Sequence, residues 1–502
     1  MSHKRIEVLS DGGYLKPRHA VGVVTNPIGK NMFFYNNSMS VMKRALTERL
    51  YFVKDGAGGF KECPRPVPGA FDQLLGFRNA VVRKLPAQPP VWTNEEFVQS
   101  YTGPRQARYK TAAANLMLRG IRRRDGYLKT FIKAEWYDGT DKSDPCPRLI
   151  QPRSYEYNVA VGRYLRPAEK LVYKAIDRVF GHHVVLKCDA PWKRAETILE
   201  HWGQFEDPVF VGMDASRFDQ HVSGEALGFE HGLYNTIFKS KELARLLSWQ
   251  VDQVGYANLI DGALKYTVEG CRGSGDMNTA LGNVFLMCAI SYEYLSKLGV
   301  KYRFIDDGDD CGFFIERRDL GKVQGLEEHY LKFGFEMEVE QPVDVLERVE
   351  FCQSRPVQLH ADHWMMIRNV HKCLKQDALI ISSRDWATAT EVRHATGVCG
   401  LALYEGVPVL DAWYRSFLSN EVRLDRVERV LQDPIRSWRS YATQKRPYEV
   451  NEVVARNSLY RAFDIAPDHQ AAMEDEFRAT KFGTEKRAFN TNPRSRLQYY
   501  LD

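Results

Sequence analysis

The sequence predicts a mixed α/β (α+β) fold, on three observations. Strand-like and helix-like segments alternate through the middle of the 502 residues, basic residues gather ahead of them, and mainly helical patterning follows after about residue 355. A chain of this length holds roughly three domain-sized units or one large multi-lobed enzyme. Its 44% hydrophobic and 27% charged content suits a globular core. No stretch reaches the roughly 18 uninterrupted apolar residues of a membrane span, and the first residues lack the apolar run of a secretory signal. A cytosolic location is the expectation. Nine scattered cysteines with no Cys-x-x-Cys pair read as reduced thiols and give no support to structural zinc.

Gly56–Gly69, rich in Pro and Gly, reads as loop, and Thr93–Arg124 carries polar helical patterning with an apolar patch at Ala112–Leu118. Between Gly103 and Phe180, 17 Lys+Arg stand against 8 Asp+Glu, so 17 − 8 = +9, more than the +6 of the whole chain. Aromatics and prolines (Tyr127, Trp136, Pro147, Tyr155) interleave with these cations, a mixture that suits a phosphate-contacting surface better than a solvated helical face. Pro208–Met213 reads as a buried strand ending at an acidic residue. Gly224–Ser240 has helical spacing, and Asn278–Leu298 is the clearest long helix. Lys301–Asp306 and Cys311–Glu316 are strand-like runs with an acidic turn between them. Internal repeats and low-complexity blocks are absent from the sequence.

That turn carries most of the chemistry. Asp307-Gly308 between two apolar runs signals a tight hairpin. One or two aspartates would serve a turn, but four within five residues (Asp306, Asp307, Asp309, Asp310) repel one another unless a divalent cation neutralises them. A calcium loop does not fit, because counting from Asp307 the fifth position is Cys311 and the twelfth is Arg318, where a bidentate Glu is needed. Asp214, with Asp219 five residues on, follows the buried strand directly, placed to meet an acidic turn on a neighbouring strand. Helix capping by Asp214 or Ser216 is the bland alternative. Between the two acidic stretches lies Gly273-Ser274-Gly275-Asp276-Met277-Asn278-Thr279, neither a Walker loop nor a dinucleotide fingerprint. At about 100° per residue, Thr279 and Asn283 share one side of the helix that follows, and Leu286 and Ile290 continue that side as apolar. A buried polar site near the helix start is expected.

These pieces, in this order, resemble the palm motifs of viral RNA-dependent RNA polymerases, most closely those of positive-strand RNA viruses of the tombusvirus-like (carmovirus-like) group. Gly308-Asp309-Asp310 resembles the signature hairpin, Asp214…Asp219 the first palm motif, and Ser274-Gly275…Thr279…Asn283 the second. Outside the palm, Lys133-Ala134-Glu135 with Pro147–Arg153 resembles the basic fingers motif. Asn36-Asn37-Ser38 with Ala45–Arg49 resembles the N-terminal segment. Phe351-Cys352-Gln353 is similar to the motif after the palm, and Cys399–Leu403 with Gly406–Val409 to a thumb segment.

The resemblance implies a closed right hand. Its parts would be an N-terminal segment (1–70) linking fingers and thumb, fingers (71–205) with an insertion (224–270), a palm (206–223 and 271–355), and a thumb with a C-terminal tail (356–502). It implies attack of an RNA 3′-hydroxyl on the α-phosphate of a nucleoside triphosphate, with two Mg²⁺ or Mn²⁺ ions and de novo initiation. Asp214 and Asp309 would bridge the metals, with Asp310 and the Ala215 carbonyl assisting. Lys133, Lys142 and Arg148 would neutralise the triphosphate, while Asp219, Ser274, Thr279 and Asn283 recognise the ribose. Arg153, Gly275 and Cys352 would contact RNA. The partners implied are an RNA template, nascent RNA, nucleotides and a membrane-anchoring viral replication protein, with no DNA. The location implied is host cytoplasm, at membrane-bound replication complexes.

Three departures matter. Relatives often carry two asparagines where this chain has Asp306 and Asp307, which leaves the roles of these two open. The lysine acting as general acid has no certain counterpart, Lys332 being one candidate. The membrane-targeting N-terminal portion of relatives has no counterpart, so the chain is expected to be the polymerase part of a longer readthrough or frameshift product. A catalytically inactive RNA-binding protein is the competing class, and intact Asp214, Asp309 and Asp310 argue against it. Reverse transcription is disfavoured by Asp219, since DNA synthesis calls for a bulky residue that clashes with the 2′-hydroxyl.

Overall fold

The structure, a computed structural model, describes residues 4–23, 32–140, 144–382, 389–431, 448–479 and 484–485. Helix and strand are mixed, as predicted. At the centre lies an antiparallel sheet in the order Tyr302–Asp306, Asp310–Glu316, Pro208–Ala215, Met337–Val339. Strand Pro208–Ala215 runs two residues past its predicted end, because Met213–Ala215 pair on the other edge with Met337–Val339.

Side chains alternate across a strand. Val209, Val211 and Met213 enter one core with Cys311, Phe313 and Ile315, while Phe210 enters another with Ile305 and Phe314. Both faces are covered, which is why these strands read as continuous apolar runs. On the first face lies helix Thr279–Leu295, buried without a break from Leu281 to Ser291, as a helix apolar all round requires. Beside it in the same core is the longest described helix, Tyr155–Phe180. Sequence patterning missed it because Pro167 interrupts it and basic residues line it. The hydrogen bond that Pro167 cannot make frees the Arg163 carbonyl, which accepts the Trp92 N–H at 2.9 Å. On the second face, helix Pro191–Trp202 contributes Ala195 and Ile198.

A second sheet runs Arg5–Ser10, Gly262–Glu269, Asp252–Leu259, Leu128–Lys129. The next N-terminal strand, His19–Val23, pairs antiparallel with Leu379–Ser382 and with Thr484–Glu485. The N-terminal segment thus ties the Asp252–Glu269 hairpin to the C-terminal part. That part has its own core, including Val357, Ile367, Trp413, Leu459 and Phe463. It also carries a hairpin, Ser354–His360 with His363–Arg368, where mainly helix was expected. Among the described residues no helix is long and apolar enough to cross a membrane.

Candidate active site

The two acidic stretches meet at one end of the central sheet. Strand register sets Asp214 directly opposite Asp310, with Gly212 opposite Gly312 one step further along the same face. The glycines leave space that Glu340 and the Phe210 ring fill. The hairpin closes on the Asp307 N–H to Asp310 carbonyl bond at 2.9 Å, so its tip is Gly308-Asp309, one residue beyond the predicted pair. Gly308, at φ +105°, takes the left-handed position. Asp214, Asp309 and Asp310 are open to solvent. Surrounding protein still pushes the Asp310 carboxyl up to about 6, by burial first and then by the charges of Asp309, Asp307 and Asp214.

Asp306 and Asp307 play other parts. Asp306 is wholly buried and turns into the core beside Cys288 and Cys311. Its carboxylate accepts the Gly308 N–H at 3.1 Å, and burial raises it far above the usual carboxylate range. Asp307 is gripped by two cations. Lys187 Nζ donates to Oδ1 at 2.6 Å and to the backbone carbonyl at 3.1 Å, and Arg194 donates to Oδ2 at 2.5 Å. The Cys352 thiol also donates to Oδ2, at 3.4 Å. Cys352 and Gln353 both hold positive φ (51° and 56°), a costly turn that delivers this thiol to the hairpin. Cys352, expected on RNA, is here a support of the hairpin.

Around the second motif the predicted residues separate. Asn283 Nδ2 donates to Asp219 Oδ1 at 3.1 Å. Burial pushes Asp219 up to about 6, opposed by Asn283, Arg272 and Arg148 and reinforced by Asp309, so Asp219 lies within electrostatic reach of both the hairpin and a basic side chain. Ser274 and Thr279, expected beside them, spend their hydroxyls on backbone, Ser274 donating to the Leu149 carbonyl and Thr279 to the Gly273 carbonyl, each at 2.8 Å. Gly275 bridges to Pro152, and a Cβ there would stand 2.8 Å from the proline Cα and N. Close backbone approach explains this glycine.

The expectation for Arg153 is corrected. Arg153 does not offer its guanidinium to RNA. Its side chain is fully buried, paired with Asp276 and donating to the Gly126 carbonyl and to Gln253. Lys332 ends helix Leu326–Lys332 beside His329, which bonds the Ile290 carbonyl and also feels Glu293 and Lys297. Lys133 and Arg148 both reach Glu135, at 2.9 and 3.5 Å. Lys142 lies outside the described residues.

Among the described residues no three His, Cys, Asp or Glu side chains form a ready-made cation cage. The donors at the sheet end are all carboxylate oxygens, solvent-accessible, and the charges of Asp309, Asp307 and Asp214 add to burial in raising Asp310. That chemistry fits a hard cation such as Mg²⁺, which takes one or two carboxylates and completes its shell with water and phosphate.

Residues 8–485 match the family described as viral RNA-dependent RNA polymerase. The chain belongs to this family. It is 39% identical over 456 residues to the RNA-directed RNA polymerases of tobacco necrosis virus (strain D) and turnip crinkle virus, covering 89% of this chain and 62% and 58% of theirs. The enzyme of cucumber necrosis virus is 39% identical over 476 residues, 94% of this chain and 57% of that one. The chain therefore spans about three-fifths of the length of these polymerases. Within this family member, sequence reasoning missed Lys187 and Arg194, which hold Asp307, and Arg272, whose charge opposes the rise of Asp219. Only the glycine at 282, inside a helix, carried a local signal that something packs closely there.

Proposed function

We propose that this chain carries out template-dependent RNA synthesis for replication of a positive-strand RNA genome, by two-metal-ion nucleotidyl transfer. The observation that carries it is the cross-strand pairing of Asp214 with Asp310, with Asp309 at the adjoining hairpin tip. Asp219 and Asn283 lie within electrostatic reach of that tip. Asp214 and Asp309 would hold two Mg²⁺ or Mn²⁺ ions, with Asp310 and the Ala215 carbonyl assisting. Bound there, such ions would supply a lowered pKa for an attacking hydroxyl and charge stabilisation for the pyrophosphate leaving group.

The chain's own residues supply the rest. Lys133 and Arg148 leave Glu135 to pair with the triphosphate. The Asp219 carboxylate accepts the 2′-hydroxyl of the incoming nucleotide, and Asn283 holds that carboxylate in place. Ser274 and Gly275 fix the loop against the Leu149–Pro152 segment. The strand pairing of the first residues with both the 252–269 hairpin and residues 379–382 supports a closed hand of fingers, palm and thumb. De novo initiation and recruitment to membranes through an anchoring partner complete the reading.

Nucleotide incorporation on an RNA template with Mg²⁺ or Mn²⁺ tests the function, comparing wild type with Asp309→Ala. Equal incorporation by the two would sink the assignment. Product formed without a primer supports de novo initiation, and strict primer dependence removes it.

A further inference from the structure

Behind the Asp219–Asn283 contact lies a polar network that the polymerase reading does not use. Arg272 and Glu230 form an ion pair with both side chains wholly buried. Arg272 Nε donates to Asn283 Oδ1 at 3.0 Å. Glu230 Oε1 accepts from Asn278 Nδ2 at 2.7 Å and from the Tyr234 hydroxyl at 2.8 Å. Asn278 in turn exchanges hydrogen bonds with Gln250 at 2.8 and 3.1 Å, and Gln250 meets His231 at 3.1 Å.

Two features show that the fold is shaped around this pair. Gly282 sits inside helix Thr279–Leu295, where glycine is otherwise unfavourable. A Cβ at that position would overlap Arg272 Nη2 and Glu230 Oε1. The helix is notched to let the pair lie across it, one residue before Asn283. Secondly, a buried ion pair adds little stability over apolar residues of the same volume, so its presence calls for a geometric role. The geometry supplies one. A guanidinium only donates, so Arg272 fixes the oxygen of the Asn283 amide toward itself and leaves Nδ2 for Asp219.

We propose that the Glu230–Arg272 pair, seated in the Gly282 notch, is the positioning element that sets ribose-against-deoxyribose discrimination by fixing the orientation of Asn283 and, through it, Asp219. This rests on the polymerase reading. Neither residue touches the substrate. Glu230 holds the guanidinium, the guanidinium holds the amide, and the amide holds the carboxylate that meets the sugar.

The test uses the full 502-residue chain on an RNA template and compares kcat/KM for ribo- and deoxynucleoside triphosphates. Arg272→Lys keeps the charge and loses the Nε donor. Arg272→Met combined with Glu230→Leu removes both charges without orphaning either, so it folds even where a single variant does not; thermal unfolding checks this. Both variants should lose about tenfold or more in sugar discrimination, the size of one lost hydrogen bond to a charged group. The loss should come from a higher KM for ribonucleotides, with deoxynucleotide efficiency unchanged. Ribo- and deoxynucleotide efficiencies falling together at a constant ratio would overturn the proposal while leaving the polymerase reading standing. A wild-type chain that incorporates no nucleotide overturns both.

Discussion

Asp214 and Asp310 face each other across two antiparallel strands, each at the end of its strand nearest the hairpin tip. A paired register brings opposite side chains within about 5.5 Å at Cβ, so their carboxylates crowd each other without any help from side-chain flexibility. Burial first, and then the charges of Asp309, Asp307 and Asp214, raise Asp310, with opposite consequences for stability and for activity. Asp310→Asn should raise the melting temperature of the metal-free chain at neutral pH by about 1–2 °C, because it deletes a charge that folding disfavours. The same variant should lose about a hundredfold or more in nucleotide incorporation. A melting temperature that falls instead would mean the carboxylate is stabilising in the metal-free chain.

The grip of Lys187 and Arg194 on Asp307 makes a second expectation. Asp307 and Arg194 are 8% and 12% exposed in their side chains, while Lys187 is 30% exposed and better screened. Removing one partner of a buried pair costs about 3–5 kcal/mol, and partial exposure reduces this to roughly 2–3 kcal/mol for Asp307→Ala. A double-mutant cycle of Asp307→Asn with Arg194→Gln should return a coupling of about 1–3 kcal/mol in denaturant unfolding. Additive effects would show that the hairpin is held by other means.

How legible the site was in the sequence depended on the reach of each interaction. Pro208–Met213 and the hairpin could be read because a strand's apolar run and an Asp-Gly turn are local patterns. Asp214, Asp309 and Asp310 stand out because like charges so close in sequence demand a reason. Lys187 and Arg194 carry no such mark, since their partner lies 120 and 113 positions away. The pairing of Arg5–Ser10 with Gly262–Glu269 is equally invisible, because strand pairing at long range depends on the whole fold. Arg153 misled for a physical reason. An arginine in a basic stretch is most often solvated, and only the tertiary placement of Asp276 and Gln253 buries this one. Thr279 and Asn283 share a helix side by periodicity, yet Thr279 sits in the first turn, where its hydroxyl serves the preceding loop.

Acid pH should separate folding from sugar selection. Asp219 is pushed up to about 6 from an ordinary value near 3.8. A raised folded-state pKa means that this group's contribution to stability is complete below about pH 3.8 and is lost as pH rises through about 6. On the proposed role the ionised form accepts the 2′-hydroxyl, so discrimination against deoxynucleotides should rise between about pH 5 and 7, with a midpoint near 6. Asp219→Asn should flatten this dependence. A pH profile of discrimination identical in the two proteins would remove Asp219 from sugar recognition.

The basic pair Lys133 and Arg148 presents a different balance. Both rest on Glu135, with side chains 37% and 51% exposed. Ion pairs this open are worth about 0–1 kcal/mol, so either cation can leave Glu135 for a triphosphate at small cost. Charge-assisted contacts to phosphate are stronger, about 1.5–3 kcal/mol each. Lys133→Ala and Arg148→Ala should therefore each raise the nucleotide KM about tenfold or more. Glu135→Gln should change it by less than about fivefold, the limit that 1 kcal/mol sets. Steady-state incorporation at varied nucleotide concentration measures all three. A larger effect from Glu135→Gln than from either cation would show that Glu135 organises Lys133 and Arg148 for the nucleotide rather than merely supporting them.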